Sequence, residues 1–291
     1  DIGIIGIGLM GHAFVERFIS QGHKVSVFNR TSEKIVDLAD SGVTICSSVD
    51  ELLGACSTII LMLSDATAID KLLHLDSQDQ QAGKLQGKTI LQMATISPSQ
   101  SRLIGEAIIS YGGDYLEAPV LGSLPEAKAG TLIIMAGGSK DVFDTALPTL
   151  QVLGTAPRYI GDTGSAAALK LAMNQLIASL TAGFSLSLGY ALKNGVDTDL
   201  FMDTVRESAL YAKTYDKKLD KYLSRDFGAA NFSTRHLLKD IRLFIDDAKA
   251  AGLNTDALQG IERITSETVD DGMALMDYSS IYQVINPDNK K

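Results

Sequence analysis

The run Ile2-Gly3-Ile4-Ile5-Gly6-Ile7-Gly8-Leu9-Met10-Gly11 decides how the chain is read. Ile2, Ile4, Ile5 and Ile7 make a short apolar strand, and Gly6, Gly8 and Gly11 follow with the spacing G-x-G-x-x-G. His12 to Gln21 then reads as a helix closed by Gly22, and Val25 to Phe28 as a second strand running into Asn29-Arg30-Thr31. Strand, glycine turn, helix and strand is the setting in which that spacing signals a dinucleotide site. Gly6 permits the tight turn, Gly8 lets a pyrophosphate approach the backbone, and Gly11 lets the helix sit close to the sheet. The helix start, with Leu9 and Met10, offers free N–H groups and a partial positive charge to phosphates. The competing reading is a packing turn in a fold of the same shape that binds nothing.

The end of the second strand bears on which dinucleotide is held. An NAD site usually presents Asp or Glu there to bond the ribose hydroxyls. This chain presents Asn29, Arg30 and Thr31, with Lys34 close behind. A guanidinium clamps a 2′-phosphate that a carboxylate would repel, so NADPH is expected over NADH. The alternative is a surface arginine that happens to follow a strand.

Alternation continues beyond this unit. Strands are expected at Val43–Cys46, Thr58–Leu63, Thr89–Met93, Asp114–Ala118, Thr131–Ala136 and Arg158–Ile160. Helices are expected at Ser32–Ser41 with Ser32 as N-cap, Val49–Cys56, Ala66–Leu73, Ser99–Tyr111 and Lys140–Leu150, with a polar loop at Asp76–Gln86. Repeated strand–helix pairs mean a doubly wound, mostly parallel sheet, that is, an α/β Rossmann domain over residues 1–162. After Gly161-Asp162-Thr163-Gly164 the pattern turns wholly helical, giving an all-α domain over residues 163–291 built on one long central helix, Ser165–Lys193. Shorter helices follow at Asp199–Ser208, Ala212–Ser224, Ser233–Ala251 and Thr255–Asp271.

Leu171 to Leu192 lacks any charged residue, a length that could span a bilayer. It carries Asn174, Gln175, Ser179, Thr181, Ser185 and Ser187, so it reads as a buried core helix and not a membrane span. Apolar nearly all round, it should be covered on most sides. Its small residues Ala178, Ala182, Gly183, Ser187 and Gly189 suit close approach by another helix. A homodimer or homotetramer is therefore expected.

Composition sets outer bounds. A chain of 291 residues with 45% hydrophobic content has a substantial core, in one or two domains. Its net charge of −9 disfavours nucleic acid as a partner and means that an anionic cofactor is held by local features. Cys46 and Cys56 read as reduced core residues, and neither they nor the scattered His12, His23, His74 and His236 have metal-ligand spacing. The apolar start is broken by glycines and lacks basic residues, so no signal peptide is expected and the location is expected to be cytoplasmic. Residues upstream of Asp1 are left open.

Ligands of open α/β sheets sit at the carboxyl ends of the parallel strands. Three stretches should end there: Leu63-Ser64-Asp65, Met93-Ala94-Thr95 and Ala118-Pro119-Val120-Leu121-Gly122-Ser123. In the long helix, Lys170 and Asn174 stand four residues apart and share a face. A lone lysine on an apolar helix facing a domain cleft suits proton transfer near neutral pH. On the residues alone, a lysine snorkelling at a helix start is an equal alternative.

Four stretches, in order, resemble the β-hydroxyacid dehydrogenase family, which includes 3-hydroxyisobutyrate dehydrogenases and glyoxylate/succinic semialdehyde reductases. They are Gly6 to Gly11, Glu117 to Ser123 continuing to Gly130-Thr131, Gly164 to Asn174, and Lys239-Asp240 after Phe232. The resemblance runs from residue 1 to about 285, and Asn29-Arg30-Thr31 with Glu117 and Ser123 looks most like the semialdehyde reductase branch, which favours NADPH. It implies an oxidoreductase in which Lys170 is the general acid/base and Asn174 holds the substrate beside it. It further implies that Gly122, Ser123 and Thr95 line the substrate and nicotinamide site, that Leu63 and Ser64 border the cofactor, and that Phe232 packs near the nicotinamide. Lys239 would reach the cofactor and Asp240 would position the cleft. The implied substrate is a small carbonyl compound or hydroxy acid, and no metal is implied.

The chain departs from the family in three places. Leu121 stands where a serine usually helps to bind the substrate carboxylate, Gln92-Met93-Ala94-Thr95 replaces Asp-x-Ser-Thr, and Ala166 replaces a glycine. Leu121 removes a donor and adds an apolar neighbour, which favours a larger or less polar carbonyl compound. Imine reductases share this architecture but usually carry another residue at the lysine position, so Lys170 speaks against that activity. It speaks equally against a non-catalytic cofactor-binding module.

Overall fold

The computed structural model describes residues 1–31, 33, 35–75, 84–228 and 230–287, and of Ala39 and Asp40 the backbone alone. Lys34 and the expected N-cap Ser32 lie outside the described residues, as does most of the loop expected at Asp76–Gln86. The chain divides into two compact units, Asp1–Lys170 and Leu171–Lys291.

The first unit is built on β1 (Ile2–Ile5), β2 (Val25–Phe28), β3 (Thr44–Ile45), β4 (Thr58–Leu61), β5 (Thr89–Gln92) and β6 (Asp114–Glu117). These pair in parallel in the order β3-β2-β1-β4-β5-β6. Three further strands extend the sheet beyond β6: β7 (Val120–Leu121), β8 (Ile133–Gly138) and β9 (Arg158–Gly161). β8 runs antiparallel to β6 and to β7, whereas β9 runs parallel to β8. Every residue of β1 is buried, as expected of a strand covered on both faces.

Side-chain alternation splits the core into two layers. Ile2, Ile4, Val27 and Ile60 face Phe14 and Phe18 of α1 (Leu9–Ser20) and Leu150 of a helix at Lys140–Leu153. Ile5, Ile59 and Leu61 face Leu52 of α2 (Val49–Ala55), Ile69 of α3 (Ala66–Leu73), and Ile104 and Ile108 of α4 (Pro98–Ser110). α2 and α3 are capped by Ser48 and Asp65, and α4 by a reciprocal Ser97–Gln100 box with Pro98 at its first turn. After β7 comes α5 (Leu124–Ala129), and the Lys140–Leu153 helix is α6.

Three local expectations are corrected. Where a helix was expected over Ser32–Ser41, the described residues show a 3-10 segment at Val36–Ser41 that ends at Gly42 in the left-handed region. The expected strand end at Ala118 to Ser123 instead makes a new strand, β7, and a new helix, α5. Pro125 in its first turn and Gly130 at its end, with φ +70°, set the bounds of that helix. The expected helix over Thr255–Asp271 ends at Thr268 and gives way to a π turn over Val269–Met273, broken at Gly272.

The long helix α7 (Ser165–Lys193) begins in the first unit and runs through the second. The second unit adds α8 (Thr198–Glu207), α9 (Lys213–Ser224), α10 (Thr234–Ala250), α11 (Asp256–Thr268) and α12 (Ile281–Ile285). Ala178 packs with Leu237, Ile241, Ile245, Leu258 and Tyr278, and Phe184 and Leu188 pack with Met202, Tyr222, Phe227 and Tyr282. The Lys218 ammonium meets Asp277 Oδ2 at 2.6 Å with both side chains buried, and Asp277 Oδ1 accepts from the N–H and hydroxyl of Ser279. That buried pair ties α9 to the segment before α12.

The expectation that α7 is covered on most sides fails within the single chain. Leu171, Ala178 and Leu188 are buried, but Leu186 is 63% and Tyr190 72% exposed, and Leu176 and Leu180 are also exposed. An apolar stripe therefore runs along the outer face of the helix.

Candidate active site

Parallel register gathers the expected site residues along one edge of the sheet. Phe28, Ile5, Leu61, Gln92 and Glu117 are partners across β2, β1, β4, β5 and β6, so the segments that follow them leave the sheet side by side. Those segments begin at Asn29, Gly6, Met62, Met93 and Ala118. The strand order reverses direction between β1 and β4, the switch point at which α/β sheets open a crevice.

The glycine turn occupies that point. Gly6 has φ +97°, and a Cβ there would stand 2.3 Å from the Met62 carbonyl oxygen and 3.0 Å from the Leu63 side chain. A Cβ on Gly11 would stand 2.1 Å from the Gly6 carbonyl oxygen, so both glycines are required by packing alone. Gly8 differs, for nothing lies within 4 Å of its Cβ position. Gly8 is the N-cap of α1, where no side chain caps the helix and no acidic residue occupies the first turn. Open space in front of uncapped N–H groups fits a pyrophosphate and has no packing purpose.

Asn29 is engaged by the chain itself. Its Oδ1 accepts from the Ile7 N–H at 3.0 Å and its Nδ2 donates to the Thr31 carbonyl at 2.7 Å, which pins the glycine turn to the end of β2. Arg30 and Thr31 are exposed beyond it. Leu9 is 63% exposed at the start of α1, whereas Met10 packs against the core. Ser64 is exposed with its hydroxyl on Asp65 Oδ2 at 2.7 Å, and Thr95 is half-buried beyond β5.

Leu121 sits in β7 opposite Ile133, half-buried. Gly122 follows with φ +136°, and a Cβ there would come within 2.7 Å of Leu132. Ser123 donates from its N–H and its hydroxyl to Glu126 Oε2, at 2.7 and 2.6 Å, and so fixes the start of α5.

Glu117 makes a contact not foreseen from the sequence. Fully buried at the end of β6, it receives three backbone N–H groups on Oε1, from Gly164 and Ala166 at 2.8 Å and Ala167 at 3.2 Å. Ser101 donates to Oε2 and its hydroxyl lies 2.8 Å from that of Tyr115. Burial pushes the Glu117 carboxyl above the usual carboxylate range, and the Ser101 hydroxyl and the three N–H groups act in the opposite direction. Burial likewise raises the Tyr115 phenol. Lys170 is half-buried, one turn beyond Ala166.

Within the second unit, Asn174 and Asp240 are brought together. Asn174 Nδ2 donates to Asp240 Oδ2 at 2.7 Å, with both residues buried. Asn174 Oδ1 is buried and has no partner among the described residues. The Lys239 ammonium lies 3.0 Å from Asp240 Oδ1, an ion-pair distance, although no hydrogen bond of acceptable angle reaches that oxygen. Phe232 packs against Tyr278 and lies parallel to the His236 ring, with centroids 6.4 Å apart.

Two family models match the chain. Residues 1–161 match the NAD binding domain of 6-phosphogluconate dehydrogenase, and residues 164–285 match the NAD-binding domain of NADP-dependent 3-hydroxyisobutyrate dehydrogenase. Glyoxylate/succinic semialdehyde reductase 1 of Arabidopsis thaliana is 30% identical over 285 residues, covering 98% of each chain. This protein belongs to the β-hydroxyacid dehydrogenase family. As a β-hydroxyacid dehydrogenase it is an NAD(P)-dependent oxidoreductase acting on CH–OH groups. Solved structures agree on the fold. The 3-hydroxyisobutyrate dehydrogenase of Mycobacterium tuberculosis superposes with a TM-score of 0.87 at 22% identity over 98% of each chain. An imine reductase from Myxococcus stipitatus gives 0.65 at 21% identity, over 98% of this chain and 99% of the other.

Proposed function

We propose that this β-hydroxyacid dehydrogenase is an NADPH-dependent reductase of small aldehyde acids such as glyoxylate or succinic semialdehyde, with Lys170 as general acid. The observation that carries the reading is the arrangement on α7. Lys170 stands one turn before Asn174, whose amide is held by the buried Asp240 carboxylate with its oxygen left to accept. The 30% identity to the Arabidopsis glyoxylate/succinic semialdehyde reductase over nearly the full length of both chains supports the same substrate class.

The bound dinucleotide would supply the hydride. This chain's part is to hold and to protonate. The turn from Gly6 to Gly11 takes the pyrophosphate on the N–H groups at the start of α1, and Arg30 takes the 2′-phosphate. Leu63, Ser64 and Thr95, at the carboxyl edge of the sheet, would border the nicotinamide side, and the family resemblance assigns Phe232 and Lys239 to the cofactor as well. Asn174 Oδ1 accepts a hydrogen bond from the Lys170 ammonium, or from the hydroxyl of the alcohol in the reverse reaction. Lys170 gives its proton to the carbonyl oxygen as the carbon is reduced, and takes it back in the reverse reaction. Leu121, Gly122 and Ser123 bound the substrate, and Leu121 favours an apolar stem over a bare carboxylate. The exposed stripe of Leu176, Leu180, Leu186 and Tyr190 on α7 is read as the surface that a second copy covers, and light scattering of purified protein tests this.

The deciding experiment is NADPH oxidation with glyoxylate, succinic semialdehyde and a neutral aldehyde of similar length, each repeated with NADH. Turnover of the acids with NADPH supports the proposal. Turnover of the neutral aldehyde alone would mean that Leu121 has moved the site away from carboxylates. Tight NADPH binding without turnover of any carbonyl compound would favour imine reduction or a non-catalytic role.

A further inference from the structure

We infer that Glu117 is the positioning residue for Lys170, a buried carboxyl group that stands in for the missing N-cap of α7 and fixes the turn from which the lysine projects. The inference rests on the proton-transfer role proposed for Lys170.

A helix normally satisfies its first N–H groups with a side chain just ahead of it in sequence, or with water. α7 has neither Ser, Thr, Asp nor Asn in that place: Gly164 precedes it with φ +101°. The acceptor comes instead from 47 residues earlier, where Glu117 Oε1 takes the N–H groups of Gly164, Ala166 and Ala167. Glu117 ends β6, which is held between β5 and β8, so the clamp is anchored in the interior of the sheet. Its second oxygen is fixed by Ser101, and Ser101 by Tyr115. The neighbouring strand leaves room for the carboxyl group: a Cβ on Gly137 would stand 2.5 Å from Oε1.

The geometry holds in either protonation state. Ionised, the carboxylate accepts from the three N–H groups and from the Ser101 hydroxyl. Protonated on Oε2, it donates to Ser101 while Oε1 still accepts the same three. Lys170 lies four residues past Ala166 and three past Ala167, so the gripped turn is its own turn. A proton donor on a backbone held in this way keeps its reach and direction through the catalytic cycle. Misplacement of about 1 Å by a remote change costs about 10²-fold in rate.

The test uses Glu117→Ala, Glu117→Gln and Lys170→Ala in the full-length protein. Amide hydrogen exchange is followed by mass spectrometry, and steady-state kinetics are measured with NADPH and an aldehyde acid. Glu117→Ala should speed exchange over residues 164–170 by about tenfold or more, leave exchange over the glycine turn unchanged, and lower kcat by about 10²-fold with little change in KM for NADPH. Glu117→Gln keeps an acceptor oxygen at the same place and should restore slow exchange and most of kcat. Should Glu117→Ala fail to fold, Glu117→Asp takes its place, because its carboxylate is withdrawn by one methylene. Unchanged exchange over residues 164–170 in the Ala or Asp variant overturns the inference. So does a parallel loss of kcat and NADPH affinity that Gln fails to rescue. If the wild type reduces no carbonyl compound, or Lys170→Ala is fully active, the proton-transfer reading falls, while the exchange data still decide whether Glu117 holds the turn.

Discussion

Asn174 and Asp240, 66 residues apart, share a buried hydrogen bond of 2.7 Å that leaves the Asn174 side chain one orientation. A carboxylate accepts only, so Nδ2 must face Asp240 and Oδ1 must face away. The buried Oδ1 has no partner among the described residues, a state that costs stability unless a ligand or a neighbouring donor satisfies it. Asp240→Asn makes the amide orientation ambiguous. We expect kcat/KM for the carbonyl substrate to fall about ten- to hundredfold, the range for a charged hydrogen bond, with NADPH affinity little changed. Steady-state kinetics with both substrates varied check this, and unaltered kcat/KM would remove Asp240 from the site.

Lys170 stands one turn before that amide. Lys170→Ala should lower turnover by about 10²- to 10⁴-fold, the contribution of a lost general acid, while NADPH still quenches intrinsic tyrosine fluorescence with unchanged affinity. Full activity in the variant would end the assignment.

Arg30 lies exposed past the end of β2, whereas its neighbour Asn29 is committed to the Ile7 N–H and the Thr31 carbonyl. On the proposed NADPH reading, discrimination between the two dinucleotides would rest on Arg30 rather than on the asparagine. Arg30→Asp should raise KM for NADPH by about tenfold or more and leave KM for NADH equal or lower. An equal loss with both cofactors would show that Arg30 does not touch the 2′-phosphate.

How much of this was legible beforehand depends on how far apart the partners lie in sequence. The glycine turn, its flanking strands and the helical second half follow from local periodicity and from glycine spacing, and they stand as expected. β7 and α5 escaped because two strand residues and a six-residue helix are too short to leave a period. The 3-10 segment at Val36–Ser41 carries the same apolar spacing as an α-helix over so short a run. The Glu117 clamp and the Asn174–Asp240 bond were not legible, because their partners stand 47 and 66 positions apart and meet only on folding. The one local hint was a carboxylate set between two apolar residues at a strand end, Leu116-Glu117-Ala118, where burial demands a partner. The exposure along α7 escaped for a different reason, since an apolar sequence does not say whether its own chain or another covers it.

Leu121 tests substrate class directly. It is half-buried in β7, beside the exposed Gly122. Leu121→Ser restores a hydroxyl donor where the family usually has one. We expect kcat/KM for glyoxylate to rise by about three- to tenfold and that for a neutral aldehyde of similar length to fall, in keeping with a hydrogen bond worth about 1 kcal/mol. A fall for both would place Leu121 in packing alone.

Glu117 also gives the fold a signature in pH. Burial, the largest influence, raises its carboxyl above the ordinary value of 4.5, with Ser101 and the three N–H groups opposing. A group whose pKa is higher in the folded state contributes stability that is fully present below the unfolded value and lost as pH rises through the folded one. Above that value the native state holds a desolvated carboxylate at the start of α7. Glu117→Gln has no proton to lose and keeps the same acceptor. The urea midpoint of the wild type should therefore fall relative to that of Glu117→Gln as pH rises from about 4.5 through the raised value, and the two should run parallel beyond it. Other carboxyl groups are common to both proteins and cancel in the difference. Midpoints that stay parallel from pH 4 to pH 8 would show that the N–H groups fully offset the burial of Glu117.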